Sequence, residues 1–522
     1  MDVCILTAGK GTRFTPFTEF ANKCLAPVPF RPLLSCLIDQ IPETWRLVIC
    51  VGHFGADVEA VIRRLHPDRN IVFHNVEDFE TAGAGSTLLQ ALPLLGDSFL
   101  MLPNDGLYPS DIDIGSIETE HDLLLGAGGE QDGEYLRLVI DAEASTVAGF
   151  ARGDWSIGVA ASPSHRSEVF TGFMYVKDKA VYERALRTEP DVTRLEVYSA
   201  FPEYLNTGSI GFLNVDWLDI GTYASYKDFL ARTTDYDFSK VDEALLLDER
   251  SRNVYKFFRD PSISHKRVIK ADRFPTAFPS CELTPSGHGY RYEYRDAITM
   301  YEEPSIANLE LLLDFLTTNL WNLDGSELPN HLSAEDVEQF YLRKSLERIE
   351  MIARSVDIAA ITSVNGVELP QVFSADLVPF DRFFDVHPSP IHGDLQYDNV
   401  LIDAAGRITL IDWRHEFGSS VLVGDLYYDL AKLLGGMFIN YSRIKLGEFG
   451  AGLKGGCLTY HYEVDDWMDE HVAFLRDFHL DHNLDFEKTK SLVSLIYLNM
   501  APLHAAPFDL FLLSKALELS FH

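Results

Sequence analysis

Two stretches of the sequence combine residue types that could hold nucleotide phosphates. The first, ILTAGKGTRFTPF at residues 5–17, is an apolar run followed by a small cationic loop. Backbone N–H groups reach phosphate oxygens where side chains are small, and cations stabilise the charge on departing pyrophosphate. An ordinary strand–helix turn is the alternative interpretation of this loop alone. We expect Arg13 and Lys23 to be catalytic cations, and the following residues to bind a nucleotide: Leu6, Ala8, Gly9, Gly11 and Thr12.

The second stretch, IHGDLQYDNVLID at residues 391–403, has the acid and amide spacing of phosphoryl-transfer chemistry. Transfer to a hydroxyl needs a carboxylate that orients the nucleophile and oxygen ligands that hold metal on the ATP phosphates. Asp394 and Asn399 have the required separation, and Asp412 ends the strand-like run RITLID. We predict that Asp394 is the catalytic base and that Asn399 and Asp412 bind metal.

The elements that must position these residues change along the chain. Up to about residue 235, apolar runs such as DVCIL and RLVICVG alternate with helical spacing such as ADVEAVIRRLH, which predicts a parallel, doubly wound sheet. Ligands of such sheets bind beyond the carboxyl ends of the strands. Strand-like pieces (VYKFF, YRYEY, AITMYE) follow, and long amphipathic segments begin at Ile306. We predict an α/β chain of three parts: residues 1–235, residues 236–305 with a linker, and residues 306–522.

Composition limits the function classes. The 522 residues are 46% hydrophobic and 24% charged, as in globular proteins, and the net charge of −35 opposes binding to phosphate backbones and anionic bilayers. The N-terminus shows no secretory signal pattern, and prolines and polar residues interrupt the apolar segment near the C-terminus. We expect a cytoplasmic protein without a nucleic-acid partner or membrane insertion, with buried helices at its C-terminus. The oligomeric state stays open.

The N-terminal part resembles a known enzyme family. LTAGKGTRFTPFTEFANKCLAPV is similar to the opening motif of sugar-phosphate and phosphocholine nucleotidylyltransferases, and ETAGAGSTL, LMLPNDGLY and DWLDIGTYASY follow in the family's order. The resemblance covers about residues 1–230 and implies a Rossmann-like (GT-A-like) fold. It also implies that Asp105 and Asp219 bind Mg²⁺, and that the base-reading loop includes Gly83, Gly85 and Ser86.

The N-terminal part departs from that family at two points. Asn22 stands before Lys23 where the family usually has proline, and no clear EKP segment supplies the lysine that often holds the acceptor phosphate. Arg152 or Lys177 are candidates to replace that lysine. The identity of the acceptor is therefore left open by the resemblance.

The C-terminal part resembles the choline-kinase and aminoglycoside-phosphotransferase superfamily. HGDLQYDNVL, IDW and GDLYYDLAKL correspond to its three motifs in order. The resemblance implies a two-lobed, protein-kinase-like α+β domain that uses ATP and Mg²⁺. It also implies a nucleotide-binding lysine on an earlier strand, for which Lys256 is the candidate, Lys270 the rival and Asp272 the acid that pairs with the lysine.

Together the two resemblances predict sequential reactions on one small molecule. A kinase would convert an alcohol into a phosphomonoester, and a nucleotidylyltransferase would join that monoester to a nucleotide, with CTP favoured. The preferred product is a CDP-activated, choline-like alcohol for capsule, lipopolysaccharide or lipid decoration. The alternatives are a sugar kinase fused to a sugar-1-phosphate nucleotidylyltransferase, and a regulatory sensor with one degenerate domain. Aromatic side chains that could bind quaternary ammonium are Trp413, Tyr427, Tyr428, Tyr460 and Trp467.

Overall fold

The structure, a computed structural model, forms two compact units. One consists of Met1–Pro261 and Leu283–Tyr294, and the other of Ser262–Glu282 and Arg295–His522. The predicted division at residues 235 and 305 stays a prediction. The structure describes residues 1–108, 120–129, 134–158, 163–189, 195–233, 241–323, 332–371, 373, 375 and 378–521.

A ten-stranded sheet forms the centre of the first unit. Its strand Asp2–Leu6 has Val3 and Ile5 in one hydrophobic cluster and Cys4 in another, so both faces of the sheet are covered. Leu123–Gly128 pairs with the long strand His165–Val176, and Ile210–Asn214 pairs with Leu123–Gly128. The other strands follow the order Trp155–Gly158, Thr146–Arg152, Arg137–Asp141, His165–Val176, Phe99–Pro103, Asp2–Leu6, Arg46–Val51 and Ile71–Asn75.

The sheet is mixed rather than parallel throughout. The four strands from Phe99–Pro103 to Ile71–Asn75 are parallel, as the alternating pattern predicted. His165–Val176 runs antiparallel to its neighbours Phe99–Pro103 and Arg137–Asp141. The strands Arg137–Asp141, Thr146–Arg152 and Trp155–Gly158 follow one another through connections too short for the helical crossover that parallel pairing requires, so they pair as antiparallel hairpins.

Helices cover both faces of this sheet, which confirms the α/β class of the N-terminal part. Gly55–Leu65 packs Val58, Val61 and Ile62 into the cluster that holds Val3 and Ile5. Ala84–Ala91 packs Leu88 into the opposite cluster. The other helices of this unit are Leu33–Asp39, Lys179–Leu186, Phe201–Thr207 and Tyr223–Thr233, and its shortest strands are Pro27–Val28, Arg31–Pro32, Gly106–Leu107 and Leu218–Asp219.

A small antiparallel sheet completes the first unit. Its strands Glu243–Asp248, Asn253–Phe258 and Gly289–Glu293 include the predicted VYKFF and YRYEY strands. Leu246 and Phe257 lie in the same hydrophobic cluster as Ile5 of the large sheet, so the two sheets share a core.

The second unit is mainly helical, as the amphipathic segments from Ile306 onward predicted. Of the AITMYE segment, only Ile298–Thr299 is a strand, and it pairs with Val400–Ile402. The helices are Pro261–Arg273, Ile306–Asn319, Ala334–Val337, the π-helical turn Glu338–Arg343, Lys344–Ala353, Phe380–Phe383, Leu426–Phe438, Tyr441–Lys445, Trp467–Asp481, Phe486–Met500 and Phe508–Phe521. The remaining strands are Ser363–Val364, Val367–Glu368, Pro388–Ser389, Ile408–Leu410, Gly424–Asp425, Phe449–Lys454 and Cys457–Tyr462.

The apolar C-terminal segment forms the helices Phe486–Met500 and Phe508–Phe521. Leu492 and Leu512 are fully buried in them, which confirms the prediction of core helices. Among the described residues, no helix is both long enough and apolar enough to cross a bilayer.

Candidate active sites

The first loop leaves open space where a ligand could approach its backbone. Strand Asp2–Leu6 ends before it, Ala8 is buried, and a side chain at Gly9 would meet no atom within 4 Å. Gly11 has a φ of 60°, a conformation that favours glycine, and it begins the short turn Thr12–Phe14. Thr12 and Arg13 are exposed. The predicted phosphate-binding loop is thus accessible from solvent, and its role stays a prediction.

Asn22 holds the turn that carries Lys23. Its buried carboxamide donates to the backbone oxygens of Thr7 at 2.9 Å and His53 at 2.7 Å, and it accepts from the N–H of Cys24 at 3.0 Å. A proline at this position would supply none of these side-chain bonds. Asn22, which stands where the family usually has proline, therefore connects the Lys23 turn to the end of the first strand through hydrogen bonds.

The two predicted Mg²⁺ ligands lie beside one glycine. Asp105 follows the strand Phe99–Pro103, and Asp219 lies opposite Gly106 in a two-residue strand pair. A Cβ atom at Gly221 would lie 2.7 Å from Asp219 Oδ1 and 3.2 Å from Asp105 Oδ2. Both carboxylates therefore converge on the space that Gly221 leaves open.

Two side chains fix these carboxylates. Lys23 Nζ lies 2.9 Å from Asp105 Oδ2, and the Tyr135 hydroxyl donates to Asp219 Oδ2. Burial acts to raise the pKa of Asp105, but Lys23 and then Arg13 outweigh it, so the pKa is lowered and the carboxylate is ionised. Burial and the charge of Asp219 raise the pKa of Tyr135, which keeps the phenol protonated as a donor.

The donor set fits the metal that the resemblance implies. Mg²⁺ prefers one or two carboxylates completed by water and phosphate oxygens, and Asp105 with Asp219 meets that preference. Within the described part of the chain, no group of three or more His, Cys, Asp or Glu side chains gathers to hold a metal by itself.

The predicted base-reading loop packs against a neighbouring segment. Gly83 precedes the helix Ala84–Ala91, and the N–H of Gly85 donates to the oxygen of Leu195 at 2.8 Å. The Ser86 hydroxyl accepts from Leu195 N–H at 3.1 Å, and a Cβ atom at Gly85 would lie 2.4 Å from Glu196 O. Gly85 and Ser86 therefore have packing roles, and contact with a base stays a prediction.

The two candidate cations for the acceptor phosphate differ in their surroundings. Arg152 Nη1 donates to the Tyr198 hydroxyl at 2.6 Å, close to the segment that contacts the base-reading loop. Lys177 Nζ donates to the oxygen of Glu120 at 3.0 Å. Binding of the acceptor phosphate by either residue stays a prediction.

In the second unit, the predicted phosphoryl-transfer residues lie together. Asn399 Nδ2 donates to Asp394 O at 2.8 Å, and Ile411 N–H donates to Asn399 O at 3.0 Å, which brings the loop beside the residue before Asp412. Asp412 has a φ of 59°, and its Oδ1 lies 2.7 Å from Arg267 Nη1. The carboxamide oxygen of Asn399 and the carboxylate of Asp412 are oxygen donors of the type that Mg²⁺ prefers.

The buried side chain of Asp429 binds the backbone of the loop that carries Asp394. Asp429 accepts from the N–H groups of His392 at 2.7 Å and Gly393 at 2.6 Å, and from Trp321 Nε1 at 3.0 Å. Burial lowers the pKa of His392 to about 4, so the imidazole is neutral. Its Nδ1 accepts from Asp394 N–H at 3.1 Å, which leaves Nε2 to donate to Ile411 O. His392 therefore orients the loop rather than accepting a proton.

The sequence reasoning missed Lys432. Its Nζ lies 2.8 Å from Asp394 Oδ1, and only 9% of its side chain is exposed. Burial acts to raise the pKa of Asp394, but Lys432 outweighs it, so the pKa is lowered. The three-residue spacing between Asp429 and Lys432 on the helix Leu426–Phe438 was the available signal, because it places both on one face.

The two lysine candidates for nucleotide binding lie on different kinds of element. Lys256 lies on the strand Asn253–Phe258 of the first unit, and its binding role stays a prediction. Lys270 lies on the helix Pro261–Arg273, and its Nζ donates to Arg414 O at 3.1 Å. Burial lowers the pKa of Lys270, with Asp429 acting against that effect. Asp272 is exposed on the same helix.

The candidate ammonium-binding aromatics have separate partners. Trp413 is buried and donates to Arg267 O at 3.0 Å, and the Tyr427 hydroxyl accepts from Asp485 N–H at 3.0 Å. Tyr460 bonds to Glu518, Trp467 stacks on Tyr397, and Tyr428 packs against Phe340. These contacts indicate packing roles.

Comparison with known proteins gives matches in both parts of the chain. Residues 336–468, which include Asp394, Asn399, Asp412 and Lys432, match the model of the phosphotransferase enzyme family. The bifunctional protein GlmU of Cupriavidus metallidurans is 33% identical over 159 residues, 28% of this chain and 32% of that protein. GlmU of Methanococcus maripaludis is 32% identical over 113 residues, 22% of this chain and 26% of that protein. The chain thus spans a third or less of the length of these curated relatives.

Solved structures are also similar to part of the chain. CTP:phosphocholine cytidylyltransferase from Streptococcus pneumoniae has 12% identity and a TM-score of 0.38, covering 45% of this chain and 99% of that one. The inositol-1-phosphate CTP transferase from T. maritima has 16% identity and a TM-score of 0.36, covering 43% and 90%. The matches agree with the motifs: an N-terminal part similar to nucleotidylyltransferases is joined to a C-terminal part that matches a phosphotransferase family.

Proposed function

We propose that the chain is a bifunctional transferase. Its C-terminal part phosphorylates a small alcohol with ATP, and its N-terminal part transfers a nucleotidyl group from a nucleoside triphosphate to the phosphomonoester, releasing pyrophosphate. The observation that supports this proposal is that each unit has two oxygen-bearing side chains near a lysine. These are Asp105 and Asp219 with Lys23 in the first unit, and Asn399 and Asp412 near Asp394 and Lys432 in the second.

In the N-terminal site, the nucleotide phosphates would lie over the open backbone at Gly9, in the loop that Gly11 turns. Mg²⁺ held by Asp105 and Asp219 would neutralise charge as two anionic reactants approach. Arg13 and Lys23 stabilise the charge on departing pyrophosphate, and Lys23 is already oriented by its contact with Asp105.

In the C-terminal site, Asp394 orients the acceptor hydroxyl and takes its proton as the new O–P bond forms. Lys432 keeps Asp394 ionised and places positive charge where the phosphoryl group transfers. Asn399 and Asp412 would hold Mg²⁺, which would neutralise charge on the ATP phosphates. Asp429 keeps the loop in the required geometry through the N–H groups of His392 and Gly393.

The finer assignment has two candidates. The resemblances favour CTP and a choline-like alcohol, which would give a CDP-alcohol for surface glycan or lipid decoration in a cytoplasmic pathway. The contact between Lys432 and Asp394 favours the second candidate, a sugar or polyol that becomes an NDP-sugar, because a quaternary ammonium would have to bind beside a buried cation.

The test is a matrix of purified protein with Mg²⁺, ATP and each of CTP, UTP, dTTP and GTP, against amino alcohols, polyols and sugars, read by mass spectrometry. Asp394→Asn should abolish ADP formation and spare nucleotidyl transfer to a supplied phosphomonoester. Asp219→Asn should do the reverse, so each variant controls for the other. Conversion of no substrate would refute the proposal and favour the sensor alternative, and loss of both activities in one variant would refute separate sites.

A further inference from the structure

A group of basic side chains lies near Asp394 in the second unit. We call Lys344, Arg348, Arg414 and Lys432 the cationic cluster. Lys344 and Arg348 are four residues apart on the helix Lys344–Ala353 and so share a face. The charge of Lys432, the residue that contacts Asp394, acts on Lys344 along with those of Arg414 and Arg348. The cluster therefore extends from the proposed base.

Two aromatic rings bound the cluster. Lys344 Nζ lies 3.9 Å from the centre of the Phe340 ring and 6.0 Å from that of Tyr428. Arg414 Cζ lies 5.0 Å from the centre of the Phe340 ring, and Phe340 and Tyr428 contact each other edge to face. Lys344 and Arg414 are thus held against aromatic rings rather than against carboxylates.

Most of the positive charge in the cluster has no matching acid. Lys432 pairs with Asp394, but among the described residues no carboxylate oxygen lies within 4.0 Å of the basic nitrogens of Lys344, Arg348 or Arg414. Arg414 Nε donates to Glu416 O at 2.9 Å, and Arg348 contacts the sulfur of Met351 at 3.5 Å. In a chain with a net charge of −35, acids are abundant, so this local excess of cations needs another explanation.

The neighbouring positive charges destabilise the charged form of Lys344 as long as no anion is bound. Burial, to which repulsion by Arg414, Lys432 and Arg348 adds, holds the pKa of Lys344 well below its usual range. An anion among these side chains would relieve that repulsion. The π-helical turn Glu338–Arg343, which carries Phe340, leads directly into Lys344, and such turns are rare and frequently occur at functional sites.

We propose that the cationic cluster is the acceptor subsite of the kinase half, and that it binds a carboxylate or phosphate group on the alcohol that is phosphorylated. The proposal rests on the proposed role of Asp394 as base. The acceptor hydroxyl oxygen attacks the γ-phosphorus of ATP, the bond to the bridging oxygen of ADP breaks, and the hydroxyl proton moves to Asp394. The anionic substituent is unchanged and positions the hydroxyl through Lys344 and Arg414, while Phe340 and Tyr428 bound the remainder of the molecule.

The direct test compares acceptors that differ in charge. ADP release by the full chain is measured with glucose, glucuronic acid, glucose 6-phosphate, glucosamine and choline as probes. An anionic probe should have a kcat/KM at least about tenfold above that of glucose, and the two cationic probes should be the poorest. A preference for glucose, glucosamine or choline would overturn the proposal.

Variants separate acceptor binding from ATP binding. Lys344→Met should raise the KM of the preferred anionic probe at least about tenfold and leave the KM of ATP within about twofold, whereas Lys344→Arg should retain the preference. Lys454→Met is the matched control, because Lys454 is exposed on a different element. A rise in the KM of ATP instead would mean that the cluster binds the triphosphate, which overturns the proposal.

Calorimetry with a non-hydrolysable ATP analogue distinguishes this inference from the proposed function. If the wild-type protein binds an anionic probe and Lys344→Met does not, the subsite is supported even when no probe is phosphorylated. Absence of anion binding to the wild-type protein would overturn the subsite, whatever alcohol is turned over.

Discussion

Replacing Lys432 with methionine tests the role of the cation beside the proposed base. The substitution preserves the length of the side chain and removes a charge 2.8 Å from Asp394 Oδ1. At an effective dielectric constant of about 20, that pair is worth about 6 kcal/mol of Coulomb energy before desolvation is counted. Because 39% of the Asp394 side chain is exposed, solvent screens part of this Coulomb energy. The loss of stability on removing Lys432 should therefore lie between the values for an exposed and a buried ion pair. We expect a loss of about 2 kcal/mol in unfolding free energy.

The effect on catalysis should depend on pH. In the wild-type protein Lys432 lowers the pKa of Asp394, so the base is ionised throughout the neutral range. The pair therefore adds stability above the ordinary carboxyl pKa, and this is lost as pH falls through the lowered pKa of Asp394. Without Lys432, burial and the charge of Asp412 remain, and both raise the pKa of Asp394. The kcat/KM of the variant should then fall as pH decreases across a range where the wild-type value is flat.

The assay is ADP release against pH, with Lys445→Met as the control. Lys445 Nζ lies 3.5 Å from Asp398 Oδ2, so this control removes a lysine from a carboxylate other than the proposed base. At neutral pH we expect Lys432→Met to lose about 10²- to 10³-fold in kcat, with partial recovery at alkaline pH, because a mispositioned base and a missing cation each cost rate. An unchanged pH profile and rate would refute the assignment of Lys432 to the base.

Three further substitutions test the first unit. Asn22→Ala leaves the backbone oxygens of Thr7 and His53 without a donor, so the unfolding free energy should fall by about 1–3 kcal/mol in chemical denaturation, and nucleotidyl transfer should fall while ADP release persists. Tyr135→Phe removes the donor to Asp219 and should raise the Mg²⁺ concentration for half-maximal pyrophosphate release about tenfold, whereas an unchanged requirement would contradict that contact. Gly85→Ala places a Cβ atom 2.4 Å from a backbone oxygen, so a midpoint of thermal unfolding equal to that of the wild-type protein would contradict the packing.

The sequence predicted what is encoded locally. Asp394 and Asn399 are five residues apart and lie within one loop, so their proximity follows from spacing alone. The Asp394–Lys432 and Tyr135–Asp219 contacts join different elements, the second across 84 residues, and no periodicity in one sequence reports such pairs. The antiparallel part of the large sheet was missed because the prediction rested on the apolar runs before residue 80, whereas Arg137–Asp141 and Thr146–Arg152 alternate in burial.

Local patterns also explain why Lys270, the rival candidate for the nucleotide-binding lysine, lies on a helix. The element begins with Pro261, and its buried positions Ser264, Arg267 and Lys270 recur every three residues. A proline in the first turn and this period favour a helix. Three of the four buried positions are polar, the fourth being Ala271, so an analysis based on apolar residues does not detect the face that packs.

The placement of cations in this acidic chain follows from the substrates that both proposed sites must hold. Acids outnumber bases by 79 to 44, so a basic side chain would usually find a carboxylate nearby. Lys23 and Arg267 pair with Asp105 and Asp412, the proposed metal ligands, and Lys432 pairs with the proposed base. When metal and phosphate bind, the metal would bind the carboxylates of Asp105 and Asp412. Lys23 and Arg267 would then each bind a phosphate oxygen in place of that carboxylate. Lys344, Arg348 and Arg414 have no carboxylate to exchange among the described residues, and for that reason they indicate an anion that comes with the acceptor rather than with ATP and its metal.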